Sequence, residues 1–309
     1  MKMLITGGAG FIGSHLAETL LEQNVEVHIV DNLSSGSISN VPENVTFIEE
    51  DVRSASLQHL MAAERYDTVF HLAAQCDVQH SISNPAHDAS VNILGTLNVL
   101  EGCVRNKMTK MIFSSTSGVY GNPEYLPVDE QHRVQPLSFY GLSKLAAESY
   151  ITLYHALYGV PYTILRYANV YGPRQNTKGE GGVVAQFMNR LFTGSPLTIY
   201  GDGEQTRDFI YVKDVAAANI AAVHNGNQGV FNISTGHGRS VNTLAALLGA
   251  MHSSPLLLDY APAKSGDIRD SCLLHAHAAK ELQWTPRFSI DDGLRQLYDY
   301  YAASSPGCP

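Results

Sequence analysis

The first half of the chain alternates short apolar runs with longer stretches of helical periodicity. The apolar runs predict strands at 2–6, 25–30, 45–49, 68–72, 110–114 and 162–166. The periodic stretches predict helices at 14 to about 23, about 87–105 and 138–158. Strands and helices in this alternation are typical of a parallel sheet with helices on both faces. The pattern therefore predicts an α/β fold built on a doubly wound parallel sheet.

Beyond residue 169 the composition changes and the alternation becomes less regular. The polar, glycine-rich segment 175–182 predicts a loop, and we expect helices at 183–192, about 215–224, 240–251 and 290–301. Short strands are expected at 197–200 and 230–233, the second of which returns to the sheet. We expect a sheet domain made of residues 1–169 plus about 206–236. Residues from about 170 to 205 plus 237–309 would form a smaller C-terminal lobe that covers the strand ends.

A glycine-rich loop joins the first predicted strand to the first predicted helix. It runs from Gly7 to Gly13 with the sequence GGAGFIG, and Asp31 follows the second predicted strand. Glycines let the backbone turn tightly and approach a pyrophosphate, to which the helix N-terminus offers N–H groups and partial positive charge. An acid about 20 residues further on accepts hydrogen bonds from a ribose diol. The stretch therefore predicts a Rossmann-type site that binds NAD, since the carboxylate would repel the 2′-phosphate of NADP.

Further polar or small residues follow the other predicted strands. Asp51, Ala73-Ala74 and Ser115-Thr116 all fall at carboxyl ends of strands. Ligands of doubly wound sheets bind beyond these ends, and the small residues at 73–74 would let a flat ring lie close. We expect all these segments to meet at one edge of the sheet.

Tyr140 and Lys144 lie four residues apart in the predicted helix 138–158. Residues at this spacing share a helix face, so both side chains should point into the same space. A free tyrosine has a pKa of about 10, and a nearby ammonium or pyridinium cation lowers the pKa because it favours the phenolate. The pair predicts a proton-transfer group. The same spacing also arises by chance, as a partly buried tyrosine beside a solvated lysine, so the prediction depends on the neighbouring motifs.

Composition and charge exclude several classes of function. The 309 residues are 44% hydrophobic and carry a net charge of −9 without a basic run, which argues against nucleic acid as a partner. No apolar run has the length of a membrane span, and a strand-like segment begins at Met3, so we expect no membrane partner, no signal peptide and a cytoplasmic location. Cys76, Cys103, Cys272 and Cys308 lack a metal-binding spacing. We expect reduced thiols and no metal site.

Together these motifs resemble the extended short-chain dehydrogenase/reductase family and, within it, the UDP-glucose (UDP-galactose) 4-epimerases. The similarity runs from Lys2 to about Tyr301. Besides the glycine loop, it is carried by Asp31-Asn32-Leu33, Asp51-Val52, His71-Leu72-Ala73-Ala74, Asn92, Ser114-Ser115-Thr116, Tyr140-x-x-x-Lys144, segment 166–174 and Arg207-Asp208-Phe209-Ile210.

The resemblance implies residues for each part of a site. The catalytic residues would be Thr116, Tyr140 and Lys144. The residues that bind NAD would be Gly7, Gly10, Phe11, Ile12, Gly13, Asp31, Asn32, Ser35, Gly36, Asp51, Val52, Leu72, Ala73, Ala74, Asn92, Ser114, Tyr140, Lys144, Tyr167 and Val170. The residues that bind the UDP-sugar would be Thr116, Ser117, Tyr140, Asn169, Val183, Val184, Thr198, Tyr200, Arg207, Lys264, Asp267, Arg269 and Ser271. Lys264 differs from the arginine that is common at its position.

The resemblance also implies a reaction. Tyr140 as phenolate would remove the proton of the sugar 4-hydroxyl, Thr116 would hydrogen-bond the same oxygen, and Lys144 would hold the nicotinamide ribose. Hydride would leave C4 for NAD and return to the opposite face of the rotated 4-keto sugar. Arg207 would bind the diphosphate, although a surface ion pair with Asp208 is the alternative. A homodimer is implied, with helices around 90–104 and 140–158 packed across a two-fold axis.

Residues beside the catalytic group separate this reaction from those of similar enzymes. Dehydratases of the family carry Asp-Glu after the threonine, and UDP-glucuronate decarboxylases carry a glutamate in the second of these positions, whereas this chain has Ser117 and Gly118. UDP-glucuronate 4-epimerases usually carry threonine where Asn169 stands and arginine where Asn176 stands. An uncharged hexose is therefore favoured over glucuronate.

Two alternatives stay open. Ser271 stands where related epimerases limit the pocket size, and this small residue leaves room for an N-acetyl group, so UDP-N-acetylglucosamine is a second possible substrate. From a different class, an NAD-binding sensor or scaffold without turnover is possible, although such proteins commonly lack the Tyr/Lys pair.

Overall fold

The structure is a computed structural model that describes residues 1–106, 110–176, 182–253, 255–263 and 268–304. Its centre is a seven-stranded sheet in which all neighbouring strands are parallel. From one edge to the other the strands are β10 (Gly229–Ile233), β6 (Tyr162–Tyr167), β5 (Lys110–Thr116), β4 (Thr68–His71), β1 (Lys2–Thr6), β2 (Glu26–Asp31) and β3 (Thr46–Glu49). The predicted doubly wound parallel sheet is confirmed.

Helices cover both faces of this sheet because alternate residues of each strand point into different cores. In β1, Met3 and Ile5 face one core and Leu4 faces the other. The helices of the first core are α1 (Phe11–Leu21) and α8 (Val212–His224). Those of the second core are α2 (Ala55–Glu64), α5 (Gly95–Asn106) and α6 (Phe139–Tyr158).

The long helix predicted over about 87–105 is interrupted in the structure. Two short helices, α3 (Val78–Ser83) and α4 (Pro85–Ala89), precede a π-helical turn, Ser90–Leu94, which continues into α5. Such turns insert one residue into a helix and are frequent at functional sites. Here the π turn carries Asn92, whose buried side chain makes four hydrogen bonds. Sequence periodicity does not detect one inserted residue, so the prediction merged α4, the π turn and α5 into one helix, and it did not include α3.

The chain beyond β6 adds two smaller sheets and a third core. One sheet has the order β11 (Gly238–Ser240), β9 (Thr206–Tyr211) and β7 (Asn169–Tyr171), and the other pairs β12 (Leu258–Ala261) with β8 (Leu197–Tyr200). The remaining helices are α7 (Val183–Phe192), α9 (Val241–Met251), α10 (Ala276–Glu281) and α11 (Ile290–Ser304). The predicted strand 230–233 joins the central sheet as β10, whereas β9 pairs with β7 and β11. The division into domains stays a prediction.

The central strands place their carboxyl ends along one edge of the sheet, which is where ligands of doubly wound folds bind. The residues that end these strands are Thr6, Asp31, Glu49, His71, Thr116, Tyr167 and Ile233. Most of the predicted site residues lie on the segments that follow. Among the helices that the structure describes, none combines the length and apolar character that a membrane span requires.

Candidate active site

The glycine loop is compact enough that side chains would not fit. Gly7 has a φ of +75°, and a Cβ atom on it would lie 2.6 Å from the backbone nitrogen of Ala73. A Cβ atom on Gly13 would lie 2.3 Å from the carbonyl oxygen of Gly7. Helix α1 begins at Phe11 and has neither a side-chain cap nor an acidic residue in its first turn, so no side chain of that turn competes for its free N–H groups. This cradle fits the pyrophosphate of a dinucleotide.

Asp31 is held against the glycine loop at the end of β2. Its carboxylate accepts hydrogen bonds from the backbone nitrogens of Ala9 at 3.0 Å and Leu33 at 2.8 Å. Burial raises the pKa of Asp31, and these two N–H donors act in the opposite direction. The next segment also closes on the loop, since a Cβ atom on Gly36 would lie 2.9 Å from the backbone of Ala9. The acid is therefore fixed where a ribose diol would be bound.

Asp51 follows β3 and belongs to a small polar cluster. Arg53 donates to both oxygens of Asp51, at 2.8 and 2.6 Å, and Asn32 donates at 2.8 Å. Hydrogen bonds from Arg53 are the main reason that the pKa of Asp51 lies well below its usual range. Val52 is buried next to this cluster. The cluster brings the predicted contacts Asn32 and Asp51 together, while Ser35 lies exposed on the intervening segment.

The ends of β1, β4 and β5 form the middle of the site. The backbone nitrogen of Leu72 donates to the Thr6 carbonyl at 3.1 Å, and the Ser114 hydroxyl donates to the His71 carbonyl at 3.1 Å. The predicted NAD contacts Leu72, Ala73, Ala74 and Ser114 therefore lie side by side. Tyr167, another predicted contact, is buried with its hydroxyl bonded to Asn219, which leaves its backbone for that role.

Lys144 is buried beneath the end of β5. Its Nζ donates to the Ser114 carbonyl at 2.9 Å and lies 4.7 Å from the ring centroid of Phe113. The start of α6 can approach β5 closely because Gly141 has no side chain, and a Cβ atom there would lie 2.7 Å from the Gly118 carbonyl. Burial lowers the pKa of Lys144 to about 8.

Tyr140 lies one helical turn before Lys144 and beside Thr116. The sequence predicts a lowered pKa for this tyrosine, but in the structure burial raises it, and a hydrogen bond from Thr116 acts in the opposite direction. The oxygen Oγ1 of Thr116 accepts from the Gly118 nitrogen at 3.1 Å, so its own proton can point at the phenol. Lowering the pKa of Tyr140 therefore needs positive charge in addition to what the described residues supply.

Arg207, the predicted diphosphate ligand, lies at the start of β9. Its Nη1 donates to the carbonyls of Thr206 at 2.8 Å and Arg269 at 3.1 Å. Its neighbour Asp208 is fully buried and accepts from the backbone nitrogens of Thr235 at 2.9 Å and Gly236 at 3.0 Å. Successive residues of a strand point to opposite faces, so the alternative of an Arg207–Asp208 ion pair is not supported.

The other predicted sugar-nucleotide residues lie on neighbouring elements of the same region. Ser117 begins a 3₁₀ turn after β5, Asn169 and Val170 lie on β7, Val183 and Val184 begin α7, and Thr198 and Tyr200 lie on β8. Arg269 donates to Asp202 at 3.2 Å, and the backbone nitrogen of Ser271 donates to the Thr206 carbonyl at 3.1 Å. Lys264 and Asp267 lie outside the described residues.

A buried ion pair behind the catalytic group was not identified from the sequence. Glu148, one turn after Lys144, binds Arg166 of β6 at 2.6 and 3.0 Å and accepts from the Ser115 hydroxyl at 2.5 Å. Arg166 also donates to the hydroxyl of Tyr120 at 3.0 Å. The sequence does contain a sign of this pair, because Arg166 lies inside an apolar strand and Glu148 lies on the inner face of α6.

Comparisons with known proteins find matches over most of the chain. A family model described as the NAD dependent epimerase/dehydratase family matches residues 3–234. The solved structure of UDP-glucose 4-epimerase from Thermotoga maritima, with UDP-glucose, has 42% sequence identity and a TM-score of 0.95, and the match covers 98% of this chain and 99% of that chain.

Two other similar structures belong to proteins that are named as epimerases of different sugars. The UDP-N-acetylglucosamine 4-epimerase of Methanobrevibacter ruminantium M1, in complex with UDP-N-acetylmuramic acid, has 35% identity and a TM-score of 0.94 over 98% of this chain and 99% of that chain. The UDP-glucuronic acid 4-epimerase of Bacillus cereus, in complex with UDP-glucuronic acid and NAD, has 32% identity and a TM-score of 0.91 over 99% and 100%.

Proposed function

The chain belongs to the NAD dependent epimerase/dehydratase family, and we propose that it interconverts UDP-glucose and UDP-galactose by epimerisation at C4. NAD is the cofactor of this family, and the glycine cradle with Asp31 beside it fits the dinucleotide. The observation that carries the proposal is the grouping of Thr116, Tyr140 and Lys144 at the end of β5, two strands away from β1 and its cradle.

The catalytic group supplies the proton transfer. Tyr140 would take the proton of the 4-hydroxyl, and Thr116 would donate a hydrogen bond to the same oxygen. Lys144 contributes a positive charge that favours the phenolate, and the Ser114 carbonyl holds its ammonium in place. The glycine cradle and Asp31 would hold NAD, which would supply the hydride chemistry at C4 and a positive charge that favours the phenolate. General acid–base help of this kind contributes about 10²–10⁴-fold to a rate.

The residues beside Thr116 favour epimerisation over elimination or decarboxylation. Ser117 and Gly118 belong to a 3₁₀ turn that Thr116 caps through its hydroxyl oxygen. Neither carries a carboxyl group, so the second proton transfer that a dehydratase or a decarboxylase of this family needs has no donor at these positions.

Two uncharged residues of the proposed sugar site favour an uncharged hexose over glucuronate. Asn169 and Asn176 stand where the glucuronate enzymes usually have threonine and arginine, so a sugar carboxylate would lose its cationic partner. UDP-N-acetylglucosamine is the second candidate, because Ser271 is small and lies next to Thr206 and Arg207 of β9. A sensor that binds NAD without turnover is the candidate from another class, and the retained catalytic group argues against it.

The test is a comparison of three substrates. The purified protein is incubated with UDP-galactose, UDP-N-acetylglucosamine and UDP-glucuronate in turn, first without added NAD and then with it, and the products are separated chromatographically. We expect conversion of UDP-galactose to UDP-glucose and no conversion of UDP-glucuronate. Conversion of the N-acetyl sugar alone would replace the proposed substrate by the second candidate.

The Tyr140→Phe variant separates the enzyme from the sensor. Removing the hydroxyl should lower kcat by about 10²-fold or more while NAD stays bound. Unchanged activity in this variant would reject the catalytic assignment, and no activity of the wild-type protein on any of the three sugars would favour the sensor.

A further inference from the structure

A chain of buried hydrogen bonds connects the glycine loop to the catalytic helix, and His71 stands at its centre. His71 ends β4 with 1% of its surface exposed. Its Nδ1 lies 2.7 Å from the hydroxyl of Thr6, the residue before the glycine loop. Its Nε2 lies 3.0 Å from the hydroxyl of Thr96 on α5.

The partners determine which ring nitrogen carries the proton. The hydroxyl of Thr96 donates to the Asn92 carbonyl at 2.6 Å, so its oxygen has to accept from His71. Nε2 of His71 is therefore protonated, and the lone pair of Nδ1 accepts from the Thr6 hydroxyl. The oxygen of Thr6 accepts in turn from the backbone nitrogen of Ala73 at 3.4 Å.

The chain continues through the π turn to the catalytic helix. The side-chain nitrogen of Asn92 donates to the Ser143 hydroxyl at 3.0 Å. That hydroxyl donates to the backbone carbonyl of Tyr140, also at 3.0 Å. Each hydroxyl in the chain has one donor role and one acceptor role, so the direction of every bond follows from the others.

The surroundings of His71 keep the ring neutral. Burial lowers the pKa of His71 to about 3, and the positive charge of Lys144 acts in the same direction. The ring also packs on Phe113 with the centroids 5.8 Å apart. An imidazolium would place a second proton on Nδ1, against the proton that Thr6 donates.

We propose that His71 is a positioning residue, neutral and protonated on Nε2, that couples the geometry of the NAD-binding loop to that of the catalytic helix α6. The hydrogen bond between its Nδ1 and Thr6 maintains the close approach of the glycine loop to Ala73. The hydrogen bond between its Nε2 and Thr96 maintains the π turn that supports Tyr140. The proposal rests on the proposed function for the role of Tyr140, whereas the proton position and its effect on NAD binding can be measured without any sugar.

The proton position is tested by nitrogen NMR of the holoenzyme with ¹⁵N-labelled histidine. The signal of His71 is assigned among the 13 histidines by the through-space contact of its ring with Phe113, and its loss in His71→Asn checks the assignment. We expect a proton on Nε2 and no titration between about pH 5.5 and 9, which follows from the lowered pKa. A proton on Nδ1, or titration near the ordinary pKa of about 6.5, would overturn the proposal.

Two substitutions of His71 test its two hydrogen bonds separately. Asparagine can place an acceptor near Nδ1 but cannot reach Thr96, and glutamine can place a donor near Nε2 but leaves Thr6 without an acceptor. A neutral hydrogen bond contributes about 1 kcal/mol, or about fivefold. We expect His71→Asn to lower kcat about fivefold with little change in the dissociation constant of NAD. His71→Gln should weaken NAD binding about fivefold with little change in kcat at saturating NAD.

Control variants separate this coupling from a general loss of stability. Thr96→Val should lower kcat at least as much as His71→Asn, because it removes the bond to Nε2 of His71 and also the bond to the Asn92 carbonyl. His28→Gln leaves the Nδ1 partner of another buried histidine, Tyr66 at 2.9 Å, without its hydrogen bond, and should leave both constants unchanged. If both His71 variants change kcat and NAD binding in the same proportion, or change neither, the proposed division of roles is wrong. The NMR measurement on the wild-type protein decides the proton position even where a variant does not fold.

Discussion

At the residue scale, burial acts in opposite directions on the two ionisable members of the catalytic group. It raises the pKa of Tyr140 and lowers that of Lys144 to about 8, because in both cases it disfavours the charged form. Thr116 supplies a hydrogen bond that favours the phenolate, and Lys144 is bonded to the Ser114 carbonyl. In the proposed mechanism, the activity of Tyr140 therefore depends on positive charge that NAD and Lys144 provide together.

The pH dependence of kcat follows from the lysine. Below its pKa of about 8, Lys144 is protonated and favours the phenolate of Tyr140; above it, the positive charge is lost. We expect kcat to fall as the pH rises beyond about 8, with a slope approaching one logarithmic unit per pH unit. The measurement is a pH profile at saturating substrate, with protein stability checked at each pH. A kcat that stays constant from about pH 7.5 to 9.5 would contradict this role of Lys144.

The identities of these residues could be predicted, but their contacts could not. Tyr140, Lys144 and Asp31 were identified because each lies at a spacing that has a chemical meaning within one local segment. His71 and Thr96 are 25 residues apart, and Glu148 and Arg166 are 18 apart. Such pairs form only once the order of the strands is known, and neither distance corresponds to a local repeat.

At the scale of elements, the turn from β1 into α1 is the proposed phosphate site. The turn is tight because Gly7 and Gly13 approach each other's backbone, and the helix N-terminus has no competing acid. Glycine, strand and helix patterns predicted this unit correctly. The elements α3, β7 and β11 were not predicted, because such short segments do not provide enough residues for a clear period. Helix α2 was not predicted either, since it buries only Leu57 and Met61 and therefore has a weak apolar pattern.

A single added methyl group in this turn should weaken NAD binding. In Gly13→Ala the new Cβ atom would lie 2.3 Å from the Gly7 carbonyl oxygen and 2.7 Å from Cα of Gly8, so the loop would have to open. We expect at least tenfold weaker NAD binding, since about 1.4 kcal/mol suffices for that factor. The measurement is a titration with NAD after removal of any bound cofactor.

The matched control is Gly249→Ala in α9. There the new Cβ atom would meet only the end of the Leu256 side chain, at 3.0 Å, and a flexible side chain can move. NAD binding should be unchanged in this variant. If Gly13→Ala binds NAD as tightly as the wild-type protein, the glycine cradle is not the phosphate site.

At the scale of the whole molecule, one helix exposes an apolar stripe. On α6 the exposed fractions are 45% for Phe139, 51% for Leu142, 40% for Tyr150, 51% for Leu153 and 64% for Leu157. Residues three, four or eight positions apart in a helix lie on the same face, so these five side chains form one stripe. Contiguous exposed apolar surface of this kind marks interaction sites. We propose that this stripe forms the interface of a homodimer.

The dimer is tested by light scattering coupled to size-exclusion chromatography. We expect a dimer for the wild-type protein and a monomer for Leu153→Asp, which would place a charge in the interface. Leu257→Asp is the control, because Leu257 is similarly exposed, at 58%, but lies outside α6. A wild-type protein that is monomeric at working concentrations would contradict the proposal.

We propose that the chain inverts C4 of a UDP-hexose by moving a hydride away from that carbon and back. This hydride can be followed with UDP-galactose that carries deuterium at C4, in ordinary water with NAD present, by mass and NMR analysis of the product. A hydride transferred within the site does not exchange with water. We expect UDP-glucose that keeps its deuterium at C4. Product that carries hydrogen from water at C4, or no conversion at all, would contradict it.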